Sequence, residues 1–133
     1  MSPSALMLDV PSPTPKVREI FVFGSNLAGR HGKGSALEAR VKFGARYGVG
    51  VGRTGDAYAI PTKDENLKRL TLPQISEYVL DFLCYADRHS DLTFRVVKIG
   101  CGLAGYAEKD VRPMFRDAPP NVILPDGWRY VIP

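Results

Sequence analysis

Short apolar runs alternate with stretches of helical period along this chain, and that alternation limits the folds open to it. Glu19 to Phe23 reads as a buried strand and Ser35 to Phe43 as the helix after it. The pattern repeats with a strand over Ala57 to Ile60, a helix over Leu72 to Arg88 and a strand over Phe94 to Ile99. A short helix over Lys109 to Phe115, a strand over Val122 to Leu124 and a last strand over Trp128 to Ile132 complete it. In the long helix Ile75, Tyr78, Val79, Phe82, Leu83 and Ala86 recur at helical spacing and form one apolar stripe able to lie on a sheet. Strands that alternate with helices across short loops predict an α/β fold, with a mostly parallel sheet covered on both faces.

Length and composition fit that expectation. The 133 residues, 44% of them hydrophobic, suffice for one domain with its own core. Pro11, Pro13 and Pro15 interrupt any ladder or helix, so residues 1–16 read as a flexible arm and 17–133 as the domain. Cys84 and Cys101 lie in apolar segments without metal-ligand or C-x-x-C spacing, which predicts reduced, buried thiols and no metal site. No basic segment leads into a long apolar one, and no run approaches the length of a membrane span, so a soluble cytoplasmic protein is expected, a monomer with no membrane partner. The formal net charge of +4 comes from 18 Lys and Arg scattered among 14 carboxylates. That distribution favours small anions over a dedicated nucleic-acid surface.

Ligands of such sheets bind beyond the carboxyl ends of the strands, where loops feed helices. Three loops fall there. The first, "GSNLAGRHGKG", runs from Gly24 to Gly34; the second is Pro61-Thr62-Lys63-Asp64; the third, "GCGLAGY", runs from Gly100 to Tyr106. Two are rich in glycine, which lets main-chain N–H groups approach a phosphate, and two facing loops of this kind can clasp a diphosphate. Neither G-x-G-x-x-G at the first strand–helix junction nor G-x-x-x-x-G-K-[ST] anywhere is present, which argues against a nicotinamide dehydrogenase or a nucleoside triphosphatase.

In order and spacing, "FGSNLAGRHGKGSALEARVKFG", "YAIPTK", a long helix and "VKIGCGLAGY" resemble the macrodomain superfamily that binds ADP-ribose, closest to the branch of terminal ADP-ribose protein glycohydrolase. The resemblance covers about Val17 to Phe115 and implies a three-layer α/β/α fold with a mostly parallel mixed sheet. It implies that Asn26, His31, Gly32 and Gly34 hold the distal ribose, with Gly24, Ser25 and Thr62 also among the ligand-binding residues. It assigns the diphosphate to Gly100, Cys101, Gly102, Leu103, Ala104, Gly105 and Tyr106. Lys63, after Thr62, matches the lysine that attacks the anomeric carbon of the distal ribose, with Asn26 orienting that sugar. No cofactor is implied. The partner is ADP-ribose or an ADP-ribosylated substrate, nucleic acid entering only as such a substrate.

The chain departs from the family at two places. Ala104 stands where the glycohydrolase branch carries an Asp, so no acid or base is evident there; Asp64, Glu65 or His31 could replace it, or the chain could bind without hydrolysis. The family's extra strand and Gly-Asp that contact adenine have no counterpart, which makes Trp128 and Tyr130 candidates for stacking on the base. Plainer roles compete at several positions. Asn26 could close a turn, His31 between Arg30 and Lys33 could be solvated, and Tyr106 and Trp128 could be core.

Overall fold

The computed structural model describes residues 18–129. β1 (Arg18–Asn26) is the central strand, and its apolar residues explain why: Ile20 and Val22 point to one face, Phe21 and Phe23 to the other, and all four are buried. It pairs in parallel with β3 (Ala57–Lys63) on one side and β4 (Leu92–Val96) on the other. β2 (Gly52–Thr54) adds antiparallel to β3 and β5 (Val122–Ile123) adds parallel to β4, giving the order β2-β3-β1-β4-β5.

Each face of the sheet buries its own cluster. Ile20, Val22, Tyr58, Ile60, Phe94 and Val96 pack with Ile75, Val79, Phe82, Leu83 and Ala86 of α2 (Leu72–Arg88). Edge-to-face rings tie that layer together, with Phe82 5.0 Å from Tyr58 and 5.4 Å from Phe94 between centroids. Thr71 and Gln74 cap the start of α2 reciprocally, so the helix begins where its apolar stripe begins. On the opposite face Phe21, Phe23, Ala57 and Ala59 meet Ala36 and Ala39 of α1 (Gly34–Lys42), and Phe43 stacks on Phe21 at 4.5 Å. The protein is thus a mixed α/β fold with a five-stranded sheet and three α-helices among the described residues.

Several elements differ from expectation. β3 continues through Pro61 and Thr62 to Lys63 rather than ending at Ile60. Pro61 has no N–H for the ladder, and the β1–β3 register shifts beside it: Ser25 faces Pro61, but Asn26 faces Lys63. That irregularity brings Lys63 opposite Asn26. β2 is too short and polar to show a period, while β4 ends at Val96 because Val97 to Ile99 turn, the Ile99 N–H donating to the Val97 carbonyl at 2.7 Å. The expected helix over 109–115 is one α-helical turn, α3 (Glu108–Val111), then a 3-10 turn over Arg112–Phe115, where Pro113 cannot donate. Cys84 is exposed, not buried, because it lies off the apolar stripe of α2. Trp128 and Arg129 are not in a strand, and residues 130–132 of that expected strand and the 1–16 arm lie outside the described residues. No described helix is long and apolar enough to cross a membrane.

Phe82 is fully buried where α2 meets the sheet. Phe82→Ala is expected to lower unfolding free energy by about 3–5 kcal/mol, read from the shift in denaturation midpoint; a loss under about 1 kcal/mol would contradict this packing.

Candidate functional site

Because β3, β1 and β4 run in parallel, their carboxyl ends share one rim, and there the chain encloses a cleft of about 1040 Å³. The end of β1 contributes Gly24, Ser25 and Asn26; the end of β3 contributes Thr62 and Lys63; the segment after β4 contributes Gly100, Cys101, Gly102, Leu103 and Ala104. Gly32 and Gly34, at the start of α1, close the ring. The Thr62 hydroxyl donates to the Ser25 carbonyl at 3.3 Å, tying the two strand ends together.

Asn26 does close a turn. Its Nδ2 donates to the Arg30 carbonyl and its Oδ1 accepts the Arg30 N–H, both at 2.9 Å. That pairing fixes the amide in the cleft wall and still leaves it one N–H and one lone pair. Lys63 is half-buried beside it, with no carboxylate within ion-pair distance among the described residues. Asp64 serves its own turn instead: Oδ1 accepts the N–H groups of Asn66 at 2.8 Å and Lys68 at 2.9 Å. The same turn holds Leu67 at φ +63° on the cleft rim, 45% exposed.

The glycines of the first loop divide into two kinds. A Cβ on Gly29 would stand 2.2 Å from the Gly48 carbonyl carbon, and one on Gly50 would stand 2.1 Å from the Asn26 oxygen. Those two glycines allow the loop to lie directly on segment 46–50, where the Ser25 hydroxyl also donates to the Gly50 carbonyl at 2.5 Å. Around Gly32 and Gly102, by contrast, nothing lies within 4 Å of an added Cβ, and a Cβ on Gly34 would lie 3.7 Å from Leu103 Cδ1. The two glycine-rich turns therefore meet at Gly34 and Leu103 and are open around Gly32 and Gly102. No acceptor among the described residues takes the N–H groups of Gly32, Lys33 and Gly34, or those of Gly102, Leu103 and Ala104.

The charge lining the cleft is mainly positive. Arg30, Lys33, Lys63 and Lys98 line it, against one carboxylate, Glu108, among the described residues. Lys98 Nζ lies 3.2 Å from Glu108 Oε2, while the Trp128 indole N–H donates to Glu108 Oε1 at 2.8 Å. Those two donors, the indole first, hold the Glu108 carboxyl below its ordinary range. Arg30, Lys33 and Lys63 have no carboxylate partner among the described residues, so the cleft suits an anion that also accepts main-chain N–H bonds.

Three residues expected at the site do not line it: His31, Gly105 and Tyr106. His31 is fully buried behind the glycine turn, edge-on to Phe23 at 5.4 Å and to Tyr47 at 6.0 Å, with Nε2 donating to the Val49 carbonyl at 3.2 Å. Its polar sequence neighbours Arg30 and Lys33 point outward while the ring turns in. Tyr106 packs on the core; its hydroxyl donates to the Leu70 carbonyl at 2.5 Å, and the Arg69 guanidinium lies 4.2 Å over its ring. Trp128 is fully buried against Phe115, so it offers no face to a base, and Tyr130 lies outside the described residues. Cys101 lines the cleft half-buried, its thiol pushed up by desolvation. Tyr47, Lys98 and Glu108 also line it without having been expected. Tyr47 is 56% exposed beneath the Arg40 guanidinium, at 5.4 Å.

Desolvation, the largest cause, lowers the His31 pKa from 6.5, and its Nδ1 has no partner. The unfolded chain therefore takes up a proton as pH falls below about 6.5 while the native ring stays neutral, so stability is lost as pH falls from there toward the folded value. His31→Phe is expected to flatten that part of a chemical-denaturation profile; an unchanged slope would contradict a buried neutral imidazole.

No protein-family model matches this sequence, and no curated protein matches it.

Proposed function

We propose that this chain is a macrodomain-like protein of three-layer α/β/α build that binds ADP-ribose in the cleft and hydrolyses an ADP-ribosyl linkage. The observation that carries this is the pair of facing glycine-rich turns with free N–H groups beside uncompensated cations. A diphosphate offers acceptors and negative charge to both. The cleft has the size of a site for a ligand of this class, and the half-buried Lys63 opposite Asn26 supplies a nucleophile beside a fixed amide.

In the mechanism that the resemblance implies, the Lys63 amine attacks the anomeric carbon of the distal ribose. The bond to the acceptor breaks, its electron pair leaves with the acceptor, and the proton given up by the attacking nitrogen goes to the acceptor. Water then displaces the lysine, returning the amine and releasing ADP-ribose. The turns fix the diphosphate, and with it the distance from sugar to nucleophile. A second reading, a non-catalytic ADP-ribose binder, is favoured by Ala104, which lines the cleft where the family has its Asp, and by Asp64, whose carboxylate oxygen is taken up by its own turn.

Calorimetry with ADP-ribose, paired with release from an ADP-ribosylated substrate, decides between them. The hydrolase reading expects binding by the wild type, and release that falls roughly 10²-fold or more in Lys63→Ala when measured at saturating substrate, beyond any loss of affinity from the missing cation. Binding without release leaves the binder. Gly102→Trp, at a position with open space around it, is expected to abolish binding without lowering the melting temperature. Full affinity in that variant would overturn the cleft assignment.

A further inference from the structure

Glu108 is out of character with a cleft that takes a diphosphate, because a carboxylate repels phosphate at close range. The part of the ligand beside it meets the acceptor sites that Lys98 and Trp128 leave open, and hydrogen-bond donors match those. The sheet order fixes which end of the cleft that is. Lys63 ends β3, Lys98 and its partner Glu108 follow β4, and β1 lies between those strands, so the two ends are about 10 Å apart at two strand spacings. The carboxylate is also held for use. The indole N–H takes one acceptor site on Oε1 and the ammonium takes one on Oε2, which leaves each oxygen a further lone pair. Two acceptors side by side match the two hydroxyls of a vicinal diol, the way an acidic side chain grips a nucleoside ribose in other folds.

Building on the ADP-ribose reading, we propose that Glu108 is the residue that recognises the adenosine ribose, its two oxygens accepting from the 2′- and 3′-hydroxyls. The ligand then lies with its nucleoside beyond β4, its diphosphate between the turns and its distal ribose at Lys63. Trp128 acts through Glu108 as a positioning residue, its buried indole aiming the carboxylate.

The test is calorimetry with ADP-ribose and with an analogue lacking only the adenosine 2′-hydroxyl, on wild type, Glu108→Ala and Glu108→Gln. The analogue is expected to bind wild type about tenfold more weakly, since the lost hydrogen bond is to a charged group. Glu108→Ala is expected to bind both ligands equally, and more weakly than wild type binds the analogue, because the contact to the 3′-hydroxyl is lost as well. Glu108→Gln keeps an acceptor for the indole, so it reports on the carboxylate even if the alanine variant loses its fold; it is expected to discriminate less than wild type. Tight binding of ADP-ribose with no discrimination by wild type, or discrimination that survives in both variants, overturns this inference and leaves the ADP-ribose reading standing. No binding of either ligand by wild type overturns both.

Discussion

Parallel pairing of one strand with two neighbours shapes everything at the rim of this protein. β1 is buried on both faces and can be satisfied only from both sides, by β3 and β4. Once those three strands run the same way, their ends deliver Asn26, Lys63 and the Gly100 turn to one edge. The apolar residues that secure the sheet therefore also decide where polar chemistry can gather. A small irregularity refines the result: beside Pro61 the register shifts, and a lysine comes to stand across from an amide.

Behind the cleft the main chain packs closely, and in front of it the main chain is open. Gly29 and Gly50 permit backbone-to-backbone contact between two loops, and His31 fills the space behind them as a buried ring. That rigid backing presents Gly32 and Gly34 outward with their N–H groups unclaimed, facing Gly102 and Leu103. Cations on the rim add attraction, and the paired Lys98 and Glu108 mark the one place where the lining changes character. The electrostatics thus give the cleft a direction as well as a preferred charge.

The sequence discloses some of this and conceals the rest for physical reasons. Apolar runs such as Ile20 to Phe23 announce central strands because both faces of a central strand are buried, and α2 announces itself by its stripe and its capping pair. β2 stays silent, since Gly52, Arg53 and Thr54 form a strand only by folding back on β3. His31 misleads because its visible neighbours are charged, whereas the rings that enclose it, Phe23 and Tyr47, come from elsewhere in the chain. Glu108 is equally hidden. What singles it out is an indole twenty residues later, and no spacing rule links the two. The glycine turns show as a pair in the sequence, but which of their glycines are structural and which are open depends on the loop packed behind them.

On the proposed reading, unclaimed main-chain N–H groups in two facing turns hold the diphosphate of ADP-ribose. The most direct measurement is a titration of ¹⁵N-labelled protein with ADP-ribose, followed amide by amide. Saturating shifts are expected at Gly32, Gly34, Gly102 and Leu103, with little movement at Gly29 and Gly50, which are packed against backbone. Unmoved amides in both turns, or saturating shifts confined to another part of the surface, would contradict it.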